Sequence, residues 1–255
     1  MSTTELAATA RDRAVEEEPQ GFAKNVSALL ERVEYRRCKS GEDLEAIYKL
    51  RYRAYRTHGI VSELPMQAMT DDLDDAPNCH RFGVFIDGQL ASTIRVHHLH
   101  AAEPYAPAMT VFGDVLGPRL SRGDSFIDPS RLAADPALIR LYRPLPYLTL
   151  RLAVIGADYF NATSCLSMVR DEHTAFYQRI FNSVRIAEPR DYASVTVQGL
   201  LFESRCDKNM ENTLRRFPFF RSTQAERRML FAQPRPGELA PLTILPTAKY
   251  YRPAA

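Results

Sequence analysis

The 255-residue chain has no tryptophan and only eleven glycines. It contains neither a P-loop nor a GxGxxG motif, which argues against a kinase or a dinucleotide-dependent enzyme. Its four cysteines are far apart and form no CxxC pair. We therefore expect reduced thiols in a cytoplasmic protein rather than a disulfide framework.

Excess charge and long apolar runs are also scarce. The net charge is +2, so the overall balance does not favour nucleic acid as a partner. No apolar run approaches the roughly 18 residues of a membrane span, which predicts a chain without a transmembrane segment. The N-terminal stretch is polar and lacks the apolar core of a signal peptide, so we expect a flexible segment over residues 1–21.

A helix is predicted between Ser40 and Gly59, since Ser40 is typical of an N-cap and Gly59 of the residue after a helix. One face of this helix carries Leu44, Ile47, Tyr48, Arg51 and Tyr55. Arg51 therefore lies on the face that should be buried. Because a buried guanidinium is costly without a carboxylate, Arg51 predicts acidic partners inside the protein.

A β-hairpin is predicted around the Asp-Gly pair at 87–88, which lies between two β-rich runs. A two-residue turn pairs Ile86 with Gln89, and regular pairing from there places His80 opposite Arg95. These two side chains would share one face of the sheet, immediately after the acidic loop TDDLDD.

Helices and strands alternate further along the chain. Pro104 to Arg122 is predicted as a long connection, and the strand SFIDPSRLA follows it. Pro129 in that strand indicates either an edge strand or a break where a ligand pairs instead. The next helix, Tyr147 to Phe160, carries Leu148, Leu152 and Ile155 along one face, which suits an acyl tunnel or a plain core equally well.

The order of elements predicts an α/β fold with a mixed central sheet flanked by helices. We assign residues 22–204 to this domain. Residues 205–255, rich in arginine and proline, are expected to form a C-terminal extension packed on the domain or trailing from it.

The motifs occur in an order that resembles a known pattern. The run LRYRAY, the acidic loop, a strand ending in arginine and the strand FIDPSRLA are similar to the acyl-homoserine-lactone synthases and N-acyl amino acid synthases of the GNAT superfamily. The similarity runs from about Leu44 to Tyr192. The matching positions are Arg51, Tyr55, Asp71, Asp74, Arg95, Asp128, Ser130 and Arg131. This resemblance implies a GNAT-like acyltransferase fold.

Three departures favour the N-acyl amino acid synthases over the lactone synthases. The chain lacks the tryptophan of the lactone synthases, has Tyr55 in place of phenylalanine, and has Asp128 in place of glutamate. The glycine-rich pyrophosphate loop of CoA-dependent relatives is also missing. The resemblance therefore implies an acyl carrier protein as donor, which presents its thioester on a phosphopantetheine arm, and no other cofactor.

The resemblance also assigns roles. The catalytic candidates are Asp128, Asp74 and Tyr177. The substrate-binding candidates are Arg51, Tyr55, Asp71, Arg95, Ser130 and Arg131. Four arginines, expected near the mouth of the site, would bind the acidic carrier protein: Arg119, Arg122, Arg140 and Arg143. A structural ion network and a core position for Tyr177 are the alternatives.

The spacing of His98 and His100 is metal-like, but no third ligand is nearby in the sequence, and we expect no metal. The expected function is transfer of a long-chain acyl group from acyl carrier protein to the amine of an amino acid. One alternative is synthesis of an acyl-homoserine lactone from S-adenosylmethionine. The other is a module that binds acyl chains or carrier protein without catalysis.

Overall fold

The computed structural model describes residues 21–192 and 198–250. The segment predicted to be flexible, residues 1–21, lies outside these ranges apart from its last residue. Residues 193–197, which begin the strand that the β-rich run ASVTVQGLLFE predicts, also lie outside them.

The described elements alternate as the sequence predicts. The helices are α1 (residues 21–30), α2 (Gly41–Thr57), α3 (Pro107–Leu120), α4 (Leu138–Leu141), α5 (Leu145–Tyr159), α6 (Thr174–Phe181), α7 (Cys206–Arg216) and α8 (Gln224–Phe231). The strands are β1 (Val33–Arg37), β2 (Cys79–Ile86), β3 (Gln89–Leu99), β4 (Phe126–Ala134), β5 (Ser164–Val169), β6 (Val184–Arg185), β7 (Arg190–Asp191) and β8 (Gln198–Arg205). Short 3-10 turns cover Asp72–Asp75, Asp171–His173, Pro218–Phe220 and Ala248–Tyr250.

These strands form one mixed sheet in the order β1-β2-β3-β4-β5-β8-β6, with β7 beside β8. The pair β4 and β5 is parallel, and the other pairs are antiparallel. Helices cover the faces of this sheet. The predicted α/β fold with a mixed central sheet is confirmed.

The sheet opens between β4 and β5. These strands pair only through Phe126 with Ser164 and Ile127 with Cys165, so β4 runs free of β5 from Asp128 onward. Pro129 follows at once and pairs with Val96 of β3 on the other side. The edge-strand alternative is therefore wrong, because Pro129 lies in a central strand at the point where the sheet splits.

The hairpin register differs from the prediction. The turn pairs Ile86 with Gln89 as expected, but a β-bulge at Ala91 shifts the strands by one residue. Arg95 therefore pairs with Arg81, not with His80. Since a one-residue slip moves a side chain to the opposite face, His80 and Arg95 lie on different faces.

The long connection predicted over Pro104 to Arg122 is also wrong, because α3 occupies most of it. Pro107 stands at the start of the helix, where its missing N–H costs nothing. The helix is distorted at Phe112, and Pro118 interrupts its last turn.

The residues after Arg205 pack into the main core instead of lying on the surface. Phe217, Phe219, Phe220 and Phe231 are buried in the same apolar cluster as α5. Further along, Ile244 forms a β-bridge with Tyr35 of the edge strand β1.

A buried ion pair joins this C-terminal part to α5. Arg151, with no exposed surface, donates to the carbonyl oxygens of Phe219 and Arg221 and to both carboxylate oxygens of Glu226. Glu226 in turn accepts from the amide and hydroxyl of Thr247. Every polar atom of the Arg151 side chain thus has a partner.

Candidate active site

The helix that carries Arg51 forms as its sequence predicts. It ends at Thr57, and Gly59 takes the left-handed conformation (φ +66°) that glycine adopts readily. Arg51 is fully buried, and its Nη1 donates to Asp74 Oδ1 at 2.8 Å. The predicted burial and acidic partner of Arg51 are confirmed. Its Nε and Nη2 have no hydrogen-bond partner among the described residues.

The acidic loop folds into a 3-10 turn that presents its aspartates to the sheet. Asp71 caps this turn through the amide of Leu73, and Asp74 accepts from the amide of Asp71, so each fixes the other. Asp74 also accepts from Thr70 and lies 3.3 Å from Arg95.

Asp71 links two further arginines. It accepts hydrogen bonds from Arg95 and from Arg131. Ser130 accepts from Arg95 Nε at 3.0 Å. The structure thus brings six predicted residues into one network, which we call the charge network: Arg51, Asp71, Asp74, Arg95, Ser130 and Arg131. Asp71 is its most exposed carboxylate, with a quarter of its side chain accessible.

A bulge in β4 puts Ser130 and Arg131 on the same side of the sheet. Thr93 pairs with Ala133 but Arg95 pairs with Ser130, so β4 has one extra residue here. Arg131 has φ +51°, the left-handed region that non-glycine residues rarely adopt. A β-bulge of this kind re-aims a side chain, and here it turns Arg131 toward Asp71.

The charge network keeps both of its aspartates ionised. Burial opposes ionisation of Asp71, but Arg95 and Arg131 outweigh it and hold the pKa of Asp71 well below its usual range. Burial likewise opposes ionisation of Asp74, yet Arg51 and Arg95 lower its pKa. Asp74 is buried and bonded on both oxygens, so it is a poor proton acceptor.

The pKa of Asp128 is raised, whereas the pKa values of Asp71 and Asp74 are lowered. Asp128 is fully buried, and burial raises its pKa to about 6 against the opposing effects of the Ala108 amide and the Arg95 charge. Its Oδ2 accepts from Ala108 at the start of α3, and its Oδ1 has no partner among the described residues. Asp128 makes no ion pair with Arg51 in the described structure, and the acidic partner of Arg51 is Asp74 instead. A carboxyl with a pKa near 6 suits proton transfer near neutral pH.

One histidine of this region escaped the sequence analysis. His97 alternates with Arg95, shares its face of the sheet and pairs with Asp128 in the neighbouring strand. Its Nε2 is 2.9 Å from the carbonyl oxygen of Leu73, and burial lowers its pKa to about 4. The period of two in β3 could have revealed it, since positions 95 and 97 must share a face.

The other three histidines in and next to β2 and β3 make packing or surface contacts. His98 stacks on Phe160 with ring centroids 4.1 Å apart, and His100 pairs with Glu103. His80 packs against Phe231, and burial lowers its pKa to about 3. Within residues 21–192 and 198–250, no group of three or more histidine, cysteine or acidic residues is placed to hold a metal ion.

A pocket lies on the opposite face of the sheet, where β4 and β5 separate. It encloses about 490 Å³, including space open to solvent. Pro129, Cys165 and Ser167 line it from the sheet, and Tyr177 and Phe181 line it from α6.

Two further helices wall this pocket. The α5 wall is made by Leu150, Ala153, Val154 and Ala157, one turn-spaced face of that helix. Leu148, Leu152 and Ile155 lie in the main core and do not line the pocket, so of the two alternatives for these residues the structure favours the plain core. The α7 wall, which the sequence analysis did not anticipate, is made by Cys206, Met210 and Thr213.

Tyr177 contacts this pocket rather than the charge network. Burial raises the pKa of its hydroxyl well above the ordinary value, with smaller contributions from Cys165 and Tyr55. The hydroxyl therefore stays protonated at neutral pH and is available as a hydrogen-bond donor. Tyr55, half-buried near the end of α2, lies close enough to Tyr177 to affect its titration.

The four arginines expected at the mouth divide into two pairs. Arg140 and Arg143 are exposed beyond the free end of β4, on the side where the sheet opens. Arg119 and Arg122 lie near the other end of β4, where it is still paired with β5. Arg119 is moreover bound to Asp124 and Glu203.

Comparison with known proteins supplies the family. The sequence profile of the N-acyl amino acid synthase FeeM matches residues 46–205. The solved structure of FeeM, an N-acyl amino acid synthase from uncultured soil microbes, superposes with a TM-score of 0.57 at 16% identity, covering 69% of this chain and 92% of that one. A structure of TofI superposes with a TM-score of 0.51 at 15% identity, covering 73% and 96%. No curated protein sequence gives a significant match.

The profile match extends over more than half of the chain and ends at Arg205, the last residue of β8. It includes the charge network, Asp128, Pro129 and Tyr177. No helix in the described part of the chain is both long and apolar enough to cross a bilayer. The chain therefore belongs to the N-acyl amino acid synthase family of FeeM, and it is an N-acyltransferase.

Proposed function

We propose that this protein transfers a long-chain acyl group from acyl carrier protein to the α-amine of an amino acid. The observation that carries the proposal is the opening of the sheet at Pro129, with a pocket on one face and the charge network on the other. A thioester arm entering between β4 and β5 would meet free backbone groups there, and the apolar pocket is where its acyl chain would lie.

The charge network suits a zwitterionic acceptor. A free amino acid has one ammonium and one carboxylate, and the most accessible member of the network, Asp71, is paired with the buried Arg131. Asp71 is ionised at neutral pH and attracts the ammonium, while Arg131 matches a carboxylate. Three arginines against two aspartates leave the network one positive charge in excess.

The reaction requires loss of a proton from the amine and gain of one by the leaving thiolate. Asp128, with a pKa of about 6, is the best-matched proton acceptor of the three aspartates. Tyr177, which remains protonated, is suited to supply the thiolate with a proton from the pocket side. The donor contributes the phosphopantetheine arm, and no other cofactor is part of the proposal.

The test is direct. The purified protein is incubated with hexadecanoyl acyl carrier protein and each amino acid in turn, and products are identified by mass spectrometry while free thiol is measured. An N-acyl amino acid formed together with one equivalent of thiol supports the proposal. A lactone and methylthioadenosine from S-adenosylmethionine would support the lactone synthase instead, and bound acyl chain without product a binding module.

The carrier protein is tested separately. Arg140→Gln combined with Arg143→Gln should raise KM for the acyl carrier protein several-fold and leave KM for the matching acyl-pantetheine, which carries no phosphate, unchanged, because only the carrier has an acidic surface. Arg122→Gln is the control, since Arg122 is exposed at the other end of β4. Equal effects of the control and the double variant would argue against docking at this end.

A further inference from the structure

The pocket has one wall that does not come from the family core. The family match ends at Arg205, and α7 begins at the next residue. Cys206, Met210 and Thr213 line the pocket at positions i, i+4 and i+7, which is one continuous face of a helix. The facing wall, on α5, is lined at the same spacing and includes the small side chains of Ala153 and Ala157.

The two walls differ in the size of the side chains that they direct at the pocket. Ala153 and Ala157 leave space, whereas Met210 has the longest side chain that α7 directs at the pocket. Methionine is unbranched and flexible, so it fills whatever space its neighbours leave. Met210→Ala would remove Cγ, Sδ and Cε from this wall and so enlarge the pocket on the α7 side.

The α7 helix is fixed relative to α5 by contacts outside the pocket. The segment after α7 is held by Arg151 of α5, through Phe219, Arg221 and Glu226. Phe217 is buried in the same apolar cluster as α5. Because both walls are tied to one buried apolar cluster, we expect a change at Met210 to alter the space in the pocket without moving the wall.

We infer that α7 sets the length of the acyl chain that the enzyme accepts, with Met210 as the residue that limits it. The inference rests on the proposed function, since it requires the acyl chain to occupy this pocket. It assigns a role in substrate selection to a segment outside the matched family region.

The experiment is a competition between two donors in one reaction. Wild type, Met210→Ala and Met210→Phe each receive equal dodecanoyl and hexadecanoyl acyl carrier protein, and the ratio of the two N-acyl products gives the ratio of kcat/KM. Both donors compete for the same folded molecules, so the ratio does not depend on how much of a variant is folded. Met229→Ala on α8 is the matched control, since Met229 is partly exposed and does not line the pocket.

Each additional buried methylene favours binding about fourfold. Met210→Ala should therefore shift the product ratio at least about tenfold toward the longer chain, and Met210→Phe should shift it toward the shorter chain. The control should keep the wild-type ratio. A ratio within twofold of wild type in both Met210 variants would overturn the inference. Failure of the proposed function is a different result, in which wild type forms no N-acyl product from either donor.

Discussion

The protein has two buried arginine sites that differ in how completely they are satisfied. Arg151 has a partner for every nitrogen, and burial, which lowers its pKa, is outweighed by Glu226, so that the pKa is raised. Arg51 donates one hydrogen bond, to Asp74, and leaves two nitrogens without a partner among the described residues. Its pKa is lowered, with burial as the largest cause.

This difference distinguishes a buried arginine that only stabilises the fold from one that is also able to bind a ligand. A buried charge with all its bonds made stabilises one arrangement of the chain and has nothing left to offer a ligand. A buried charge with unmade bonds carries a desolvation cost that a ligand or a neighbouring group is able to offset. Asp128 belongs to the second class, because one of its oxygens also has no partner in the described structure.

The largest effect on stability is expected at the satisfied site. Arg151→Met leaves the Glu226 carboxylate buried without its partner, which should lower the free energy of unfolding by about 3–5 kcal/mol. Turnover per folded molecule should remain close to wild type. Urea unfolding and single-turnover rates on one preparation measure both quantities. If the rate per folded molecule fell tenfold at unchanged stability, Arg151 would act in catalysis rather than in stability, which contradicts the comparison.

Asp128→Asn should have effects of opposite sign on rate and stability. Loss of a general base lowers turnover about 10²–10⁴-fold. Because the folded-state pKa of Asp128 is raised to about 6, its ionisation destabilises the fold as pH rises from about 4 to 6. The neutral asparagine should therefore be more stable than wild type at pH 8 and no more stable at pH 4.

The pH profile of Asp128→Asn is the sharper readout. Wild-type kcat/KM should rise with pH through an apparent pKa near 6, and the variant should lack this limb. A merely structural Asp128 would leave the limb in place, and that outcome would remove the proton-transfer role from Asp128.

Arg51→Met should also lower the free energy of unfolding, but by less than Arg151→Met does. The difference between the two variants should be about 1 kcal/mol or more. Arg51 makes one direct hydrogen bond to a neighbour, whereas Arg151 makes four, and each contributes roughly 1 kcal/mol. KM for the amino acid should rise about tenfold, because the charge network loses a member. Arg53→Met is the control, since Arg53 is exposed on the same helix. Equal loss of stability in the Arg51 and Arg151 variants would show that the number of hydrogen bonds a buried arginine makes does not determine how much it stabilises the fold.

The smallest effect is expected at Tyr177. Tyr177→Phe removes a hydroxyl from the pocket face while keeping the ring, so stability should change by less than about 1 kcal/mol. Turnover should fall several-fold with a donor whose thiolate needs a proton to leave. If Tyr177→Phe forms product at the wild-type rate in presteady-state measurements, Tyr177 contributes packing alone.

Features that depend on a local sequence pattern could be predicted from the sequence. Features that depend on the register between two strands could not. Arg51 was placed correctly because a helical face and a buried charge fix its partner type. His80 was misplaced because the bulge at Ala91 has no local signature in the sequence. The left-handed Arg131 could not be predicted either, since it depends on the ion pair with Asp71 that holds it.

The pocket was partly predictable for the same reason. Pro129 signalled the break, because a proline cannot donate to a neighbouring strand. Which face of α5 lines the pocket could not be read from the sequence, since α5 is apolar on nearly all sides. The α7 wall was missed because it depends on contacts between distant parts of the chain.

The ties between α5 and the C-terminal segment also constrain how the chain folds during synthesis. Arg151 finds its carboxylate 75 residues later, and Tyr35 of the edge strand finds its bridge partner at Ile244. At a synthesis rate of roughly 5–20 residues per second, Arg151 remains without its partner for several seconds after it is made. Strand β1 remains an open edge even longer, and open edges invite pairing with other chains. The nascent chain therefore depends on late contacts to close both its core and its sheet, which makes the ribosome-bound stage the period of greatest exposure to aggregation.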